Sequence, residues 1–417
     1  MSQAYAVIAG RERHPPARLA GFVAHQADRM TTQPHWLVAH RSVETVISIL
    51  AAFRAGAPVA LINPKLSDSE RTALRRDIDL SQLPGDAAVV VFTSGTAGTP
   101  KGVVLSAAAF AASSTANTEH LGWNADDRWL CCLSLAHIGG LSIVTRCTDA
   151  QRTIVLTPEQ PFVASELIDA IETHRVTLLS LVPAMLSRML DDAPDWRPPE
   201  HLRAVLLGGA KASPGLIAHA RNRGLPIQTT YGMSETCSQI YTGGVLLSGV
   251  EVRTHEHGHL QVRGPMLASG YIDEQGFRPL THSDGWFDTG DLGHVDSDGR
   301  LHISGRADDC IISGGANVIP AEVENALEAS PDVSAACVFG IADETWGQVV
   351  AAAIVPASSS LADGTGKRRL AEFLRERLAS YKRPRRICVI NELPLGPTGK
   401  IDRRQVVALT RDRLVSW

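Results

Sequence analysis

Along residues 43–55 the apolar side chains recur at helical spacing, and Gly56-Ala57-Pro58 stops the pattern. Pro58–Ile62 then runs apolar without alternation, as a strand buried on both faces does. The same exchange repeats downstream. Ser165–His174 reads as a helix before a strand at Val176–Leu181. Leu202–Leu207 reads as a strand ending in Gly208-Gly209, Ser213–Arg223 as the next helix, and Pro226–Thr230 as the next strand. Ala87–Phe92 is another wholly apolar run. Strand and helix in alternation, with buried strands, predict parallel α/β sheets.

After about residue 245 the texture changes. Val250–Arg253, His259–Arg263 and Leu301–Ser304 are short alternating strands separated by turn residues, which predicts a small antiparallel barrel or sheet over about 245–304. From Arg306 a compact α+β tail follows. Its strands are expected at Cys310–Ser313, Ser334–Phe339, Val349–Val355 and Arg386–Ile390, and its helices at Ala321–Ser330 and Lys367–Ala379. The fold class is α/β, with a large N-terminal domain over 1–305 and a small C-terminal domain over 306–417.

Composition adds limits rather than a function. At 417 residues with 44% hydrophobic and 20% charged residues, the chain is an ordinary globular protein. The net charge is −4, and the densest basic cluster, Lys382-Arg383-Pro384-Arg385-Arg386, suits a solvated turn better than a nucleic-acid patch. The seven cysteines are an odd number without a Cys-x-x-Cys pair, which points to reduced thiols and a cytoplasmic setting. No signal-like leader and no membrane-length apolar run is apparent. His255-Glu256-His257-Gly258-His259 has metal-ligand residue types, but it lies between two strand-like runs and reads as a hairpin turn.

The chemistry concentrates in loops that follow strands, at the edge where α/β sheets bind ligands. Thr93-Ser94-Gly95-Thr96-Ala97-Gly98-Thr99-Pro100-Lys101-Gly102 combines hydroxyls, glycines and a lysine. Glycines let backbone N–H groups approach an anion, and the lysine adds charge, which suits a polyphosphate; a surface turn rich in small residues is the plainer alternative. The spacing is not that of a Walker loop. Tyr231-Gly232-Met233-Ser234-Glu235-Thr236 places one carboxylate between hydroxyls beside a glycine turn, a composition suited to Mg²⁺ and a nucleotide phosphate. A helix cap by Ser234 is the plainer alternative. Asp288-Thr289-Gly290-Asp291 has a carboxylate, Asp291, able to bridge two ribose hydroxyls, with an Asx turn as its plainer reading. Pro394-Leu395-Gly396-Pro397-Thr398-Gly399-Lys400 holds a lysine on a glycine-proline loop, which alone reads as a solvated terminal loop.

Taken in order, Thr93–Gly102, Tyr231–Thr236, Asp288–Asp291, Gly305–Asp309 with Ile312–Gly315, and Pro394–Lys400 resemble the motifs of the adenylate-forming superfamily of acyl-CoA synthetases, adenylation domains and luciferases. The resemblance implies an ATP-dependent ligase that makes an acyl-adenylate and then an acyl thioester, with ATP, Mg²⁺ and coenzyme A. It implies that Thr93, Ser94, Gly95, Thr96, Gly98 and Lys101 bind the β,γ-phosphates and that Glu235 holds Mg²⁺. Gly209, Tyr231, Gly232 and Ser234 would frame the nucleotide, Asp291 and Arg306 the ribose. Lys400 would act in adenylation. It further implies a mobile tail that turns at Asp308, bringing Ser313, Gly314 and Gly315 to the thiol's path.

Leu206–Ala210, Ala136–Leu141, Thr230–Ile240 and Ile311–Pro320 are similar to stretches of the o-succinylbenzoate–CoA ligases of menaquinone biosynthesis, although Gly139 stands where that family often has Ser. A dicarboxylate substrate needs a donor or cation for its spectator carboxylate. Candidates are His137, Ser238, Gln239 and Arg188, the last with an exposed helix arginine as its plainer reading. The partners expected are a small carboxylic acid, ATP and CoA, with a homodimer left open. Another aryl- or fatty-acyl-CoA ligase, or an adenylation protein loading a separate carrier protein, are the alternatives.

Overall fold

The computed structural model describes residues 6–94, 100–159, 161–357, 361, 364–396 and 400–417. Gly95, Thr96 and Gly98 of the phosphate loop lie outside them, as does the side chain of Ser94. The chain divides into two units. The first comprises Met1–Gly209, Ala220–Glu251 and Val262–Phe287, the second Ala210–His219, Val252–Gln261 and Asp288–Trp417.

The first unit holds two sheets. In a nine-stranded sheet the parallel strands Ala204–Leu207, Leu178–Leu181, Arg128–Cys131 and Thr153–Leu156 are flanked by antiparallel edges. All four are buried almost throughout, matching their unbroken apolar runs. Helix Val43–Ala55 lies where the periodicity predicts. Ser42 Oγ caps it by accepting from Thr45 N–H, and Gly56 ends it in the left-handed conformation.

Two elements differ from the sequence reading. Pro100–Ser106, which begins inside the 93–102 motif, is itself a strand: it pairs antiparallel with Ala87–Ser94, which runs parallel to Val59–Ile62, in a six-stranded sheet. Strand Ile227–Met233 continues through Tyr231 and Gly232, because Ser238–Thr242 folds back on it. The strands of 245–304 also do not share one sheet. Glu251–Thr254, His259–Arg263, Phe287–Val295 and Leu301–Arg306 form a four-stranded sheet, whereas Gly270–Asp273 and Gly276–Pro279 extend the six-stranded sheet. His255 N–H donates to His259 C=O at 2.7 Å, closing the expected turn.

In the second unit, strands Ile311–Ser313, Val333–Asp343, Gly347–Pro356 and Arg386–Val389 share one sheet, packed by helix Pro320–Glu328 through Val323 and Leu327. The basic cluster is tied locally: Lys382 pairs with Glu322 at 2.6 Å, and the Arg385 guanidinium lies 4.1 Å from the Trp346 ring centroid. All seven cysteines are free thiols. Among the described residues no helix is long and apolar enough to cross a membrane.

Candidate active site

The first unit joins its two sheets at a charged cluster. Ser234–Thr236 form a single 3-10 turn at the end of strand Ile227–Met233; Ser234 does not cap an α-helix. The turn delivers Glu235 toward strand Pro100–Ser106. Lys101 Nζ lies 3.6 Å from Glu235 Oε1, and Tyr271 donates its hydroxyl to the same oxygen at 2.9 Å. Strand Gly270–Asp273 pairs antiparallel with Pro100–Ser106, which brings Tyr271 beside Lys101. The ammonium sits 3.9 Å from the Tyr271 ring centroid. A cation on an aromatic face and against a carboxylate is held in place before any ligand arrives. The Glu235 side chain is 12% exposed, and both contacts converge on Oε1. A nearly buried carboxylate beside a phosphate-type loop fits Mg²⁺, which takes few protein carboxylates and completes its shell from phosphates.

Further along the same strand, Gly232 is opposite Gln239. A Cβ at Gly232 would meet Ser238 C=O at 2.1 Å, so only glycine allows this close approach. Gln239 is buried, and its Oε1 accepts from Ser238 Oγ at 2.9 Å and from Arg146 Nη1 at 2.7 Å. Arg146 Nη2 donates to Ser113 Oγ at 2.9 Å. Arg146 is 2% exposed and pairs with no carboxylate among the described residues. Burial lowers its guanidinium to about 10. With Oε1 doubly engaged, the Gln239 amide points its Nε2 donors at no protein acceptor. A buried amide left this way costs about 1–3 kcal/mol. Such an amide can donate to an anionic group.

His137 begins helix Ile138–Asp149, which also carries Arg146. Asn63 Nδ2 is 3.2 Å from its Nε2. Gly209 follows strand Ala204–Leu207 in a left-handed conformation (φ +77°). Arg188 is the exposed helix arginine of the plainer reading: its side chain is 59% exposed and pairs with Asp192 at 3.4 Å.

The second unit holds a separate set of its own. Asp291 is opposite Arg306 on paired strands, 3.4 Å away, and is 7% exposed. Arg306 also donates to Thr289 C=O at 2.9 Å and lies 3.5 Å from Asp308. Asp288 Oδ1 accepts from Gly290 N–H at 2.9 Å, so the Asx turn falls on Asp288 and leaves Asp291 to its partners. Gly314 and Gly315, both at positive φ, turn the hairpin between Ile311–Ser313 and Ala316–Val318. Lys400 is exposed, and its C=O accepts from Gly396 N–H at 2.7 Å.

Comparison with known proteins gives the family. Residues 80–272 fit the family model described as AMP-binding enzyme, and residues 322–400 fit the AMP-binding enzyme C-terminal domain. The 2-succinylbenzoate–CoA ligase of Bacillus licheniformis is 35% identical over 424 residues, covering 87% of each chain. That of Bacillus subtilis is 33% identical over 425 residues, covering 87% of this chain and 85% of its own.

The chain belongs to the adenylate-forming, AMP-binding enzyme family.

A solved structure of the Bacillus subtilis o-succinylbenzoate CoA synthetase, in complex with its acyl-adenylate intermediate, aligns with a TM-score of 0.82 at 30% identity. It covers 97% of this chain and 95% of that one. The same enzyme with ATP and magnesium aligns equally well, at a TM-score of 0.82 and 30% identity over 97% and 96%. Within this adenylate-forming fold, sequence reasoning missed Tyr271, Arg146 and Asn63. Arg146 lies in a helix whose residues 140–147 are all buried, so the arginine has to find partners inside. Tyr271 and Asn63 act through sheet pairing and loop packing, which local sequence does not display.

Proposed function

We propose that this adenylate-forming enzyme joins 2-succinylbenzoate to coenzyme A, driven by ATP, as a cytoplasmic step of menaquinone biosynthesis. In the first step a substrate carboxylate oxygen attacks the α-phosphorus. The bond to the α,β-bridging oxygen breaks, and pyrophosphate leaves with the electron pair. In the second step the CoA sulfur attacks the acyl carbon and AMP departs, leaving the thioester.

Two anions meet in the first step, so the chain's work is charge compensation and alignment. Thr93, Ser94, Gly95, Thr96, Gly98 and Lys101 receive the β,γ-phosphates, and Lys101 steadies the leaving group. Glu235 would hold Mg²⁺, which neutralises phosphate charge when bound. Gly209, Tyr231, Gly232 and Ser234 frame the nucleotide, and Asp291 takes the ribose hydroxyls with Arg306 behind it. Lys400 touches the attacking carboxylate and the α-phosphate. The tail from residue 306 then turns at Asp308, withdrawing Lys400 and bringing Ser313, Gly314 and Gly315 to the thiol's path.

One observation carries the choice of acid: the buried Gln239 amide, locked by Arg146 and Ser238, has donors with no protein acceptor. A spectator carboxylate supplies that acceptor, and a mono-acid does not. His137 stands at the head of the helix that bears Arg146. The relatives named 2-succinylbenzoate–CoA ligase support the same substrate.

The test measures the half-reactions separately. Pyrophosphate release across a panel of acids should be fastest with 2-succinylbenzoate, and AMP release should then require CoA. Lys400→Ala should cripple pyrophosphate release while sparing thioester formation from preformed acyl-adenylate. Good turnover of benzoate with none of 2-succinylbenzoate would overturn the assignment.

A further inference from the structure

Strand Val59–Ile62 ends at Asn63-Pro64-Lys65, a tight turn near the start of helix Ile138–Asp149. Within the turn Asn63 Oδ1 accepts from Lys65 N–H at 3.0 Å, and Asn63 C=O accepts from Leu66 N–H at 3.1 Å. This Asx-type geometry, stiffened by Pro64, fixes the side chain. It also settles which end of the amide faces the histidine. The oxygen is committed to Lys65, so the amino group is the end 3.2 Å from His137 Nε2. An NH₂ group only donates. His137 Nε2 therefore accepts, and the one proton of the neutral ring sits on Nδ1.

Two further features hold this state. His137 is the residue before the first turn of a twelve-residue helix, and its C=O accepts from Gly140 and Leu141 N–H. The positive end of that helix opposes charge on the ring. The loop leading into His137 is also pinned: Arg41 Nη1 donates to Cys132 C=O at 2.7 Å, and its Nε to Thr157 C=O at 2.9 Å.

We infer that Asn63 is a positioning residue that fixes the tautomer of His137, holding it as a neutral, Nδ1-protonated ring rather than a cation at the acyl side of the site. This rests on the proposal that His137 borders the acid. Charge recognition is then left to the Arg146–Gln239 pair, and His137 contributes shape.

The experiment uses the full chain labelled with ¹⁵N-histidine, with His137 assigned by the signal lost in His137→Gln. Wild type should show His137 protonated on Nδ1. Asn63→Asp replaces the donor by an acceptor and should move the proton to Nε2; Asn63→Ala should give a mixture of tautomers. Losing one hydrogen bond at this position should raise KM for the acid about 3- to 10-fold, with KM for ATP unchanged. Asn63→Gln, which keeps the amide, should recover part of the loss. An Nε2-protonated ring in wild type, or a tautomer that does not respond to Asn63→Asp, overturns the inference. An unchanged acid KM in His137→Gln overturns the placement of His137 at the acyl site instead, so the two failures can be told apart.

Discussion

Arg203 and Arg146 sit in the same unit and are treated in opposite ways. Arg203 lies at the amino ends of the parallel strands, where its guanidinium grips Asp127 with Nε and Nη2 at 2.9 and 2.6 Å. Thr177 Oγ1 donates to Asp127 Oδ1 at 2.7 Å, and Asn124 N–H donates to its other oxygen at 2.7 Å. Arg203 Nη1 donates to Leu121 C=O at 2.9 Å. Burial alone would push the Asp127 carboxyl up. The Arg203 guanidinium and the two hydrogen bonds outweigh it and hold the carboxyl below its ordinary range. Arg146, more deeply buried, faces two neutral oxygens, and beside it the Gln239 amide donors lack a protein acceptor. The difference is informative because both sites are costly to dehydrate. A site whose charges satisfy one another holds strands together. The site left one acceptor short is the one we propose receives an anion.

The largest effect should come from unbalancing the closed site. Arg203→Met leaves Asp127 buried without its counterion and should lower the unfolding free energy by about 3–5 kcal/mol, read by denaturant titration. KM for the acid should not change in the folded fraction. The matching change in the open site should do the reverse. Arg146→Met removes hydrogen bonds from a charged donor and should raise acid KM by about 10- to 100-fold. Its unfolding free energy should stay within about 1 kcal/mol of wild type, because Arg146 has no ion pair to lose.

How far sequence alone reached follows the same division. Helix Val43–Ala55 and strand His259–Arg263 fall where their periodicity puts them, because burial of one face or both is written into residue spacing. Residues 93–102 and Glu235 stood out as candidates because their residue types cluster locally in the sequence. That Lys101 and Glu235 meet at 3.6 Å, over the Tyr271 ring, depends on strand Gly270–Asp273 joining strand Pro100–Ser106 from far along the chain, and no local pattern encodes that pairing. The choice of Arg188 as a candidate cation shows the limit. Both arginines lie on helices, but Arg188 faces solvent beside Asp192 and Arg146 lies inside.

A pH titration sharpens the contrast more gently. The Asp127 carboxyl titrates lower in the folded state than in the unfolded one. Its contribution is therefore complete above the unfolded value of about 3.9 and is lost as pH falls through the folded one. The stability gap between wild type and Asp127→Asn should accordingly narrow as pH drops below about 4, and a gap that widened there would refute the pairing. The smallest effect concerns Cys237, a neighbour of Arg146 that could have served as its anion. Burial pushes its thiol up to about 12, so at neutral pH it is an uncharged neighbour. Cys237→Ser should leave acid KM within about twofold of wild type; a large rise would mean that a thiolate balances Arg146.

The central claim is that Gln239, set by Arg146, reads the second carboxylate of the acid. The direct measurement is the ratio of kcat/KM for 2-succinylbenzoate to that for an analogue lacking its spectator carboxylate, in wild type and in Gln239→Leu. The ratio should be about 10²-fold or more in wild type and collapse toward one in the variant, with ATP kinetics preserved. A wild-type ratio near one, or a high ratio that survives Gln239→Leu, would contradict the account.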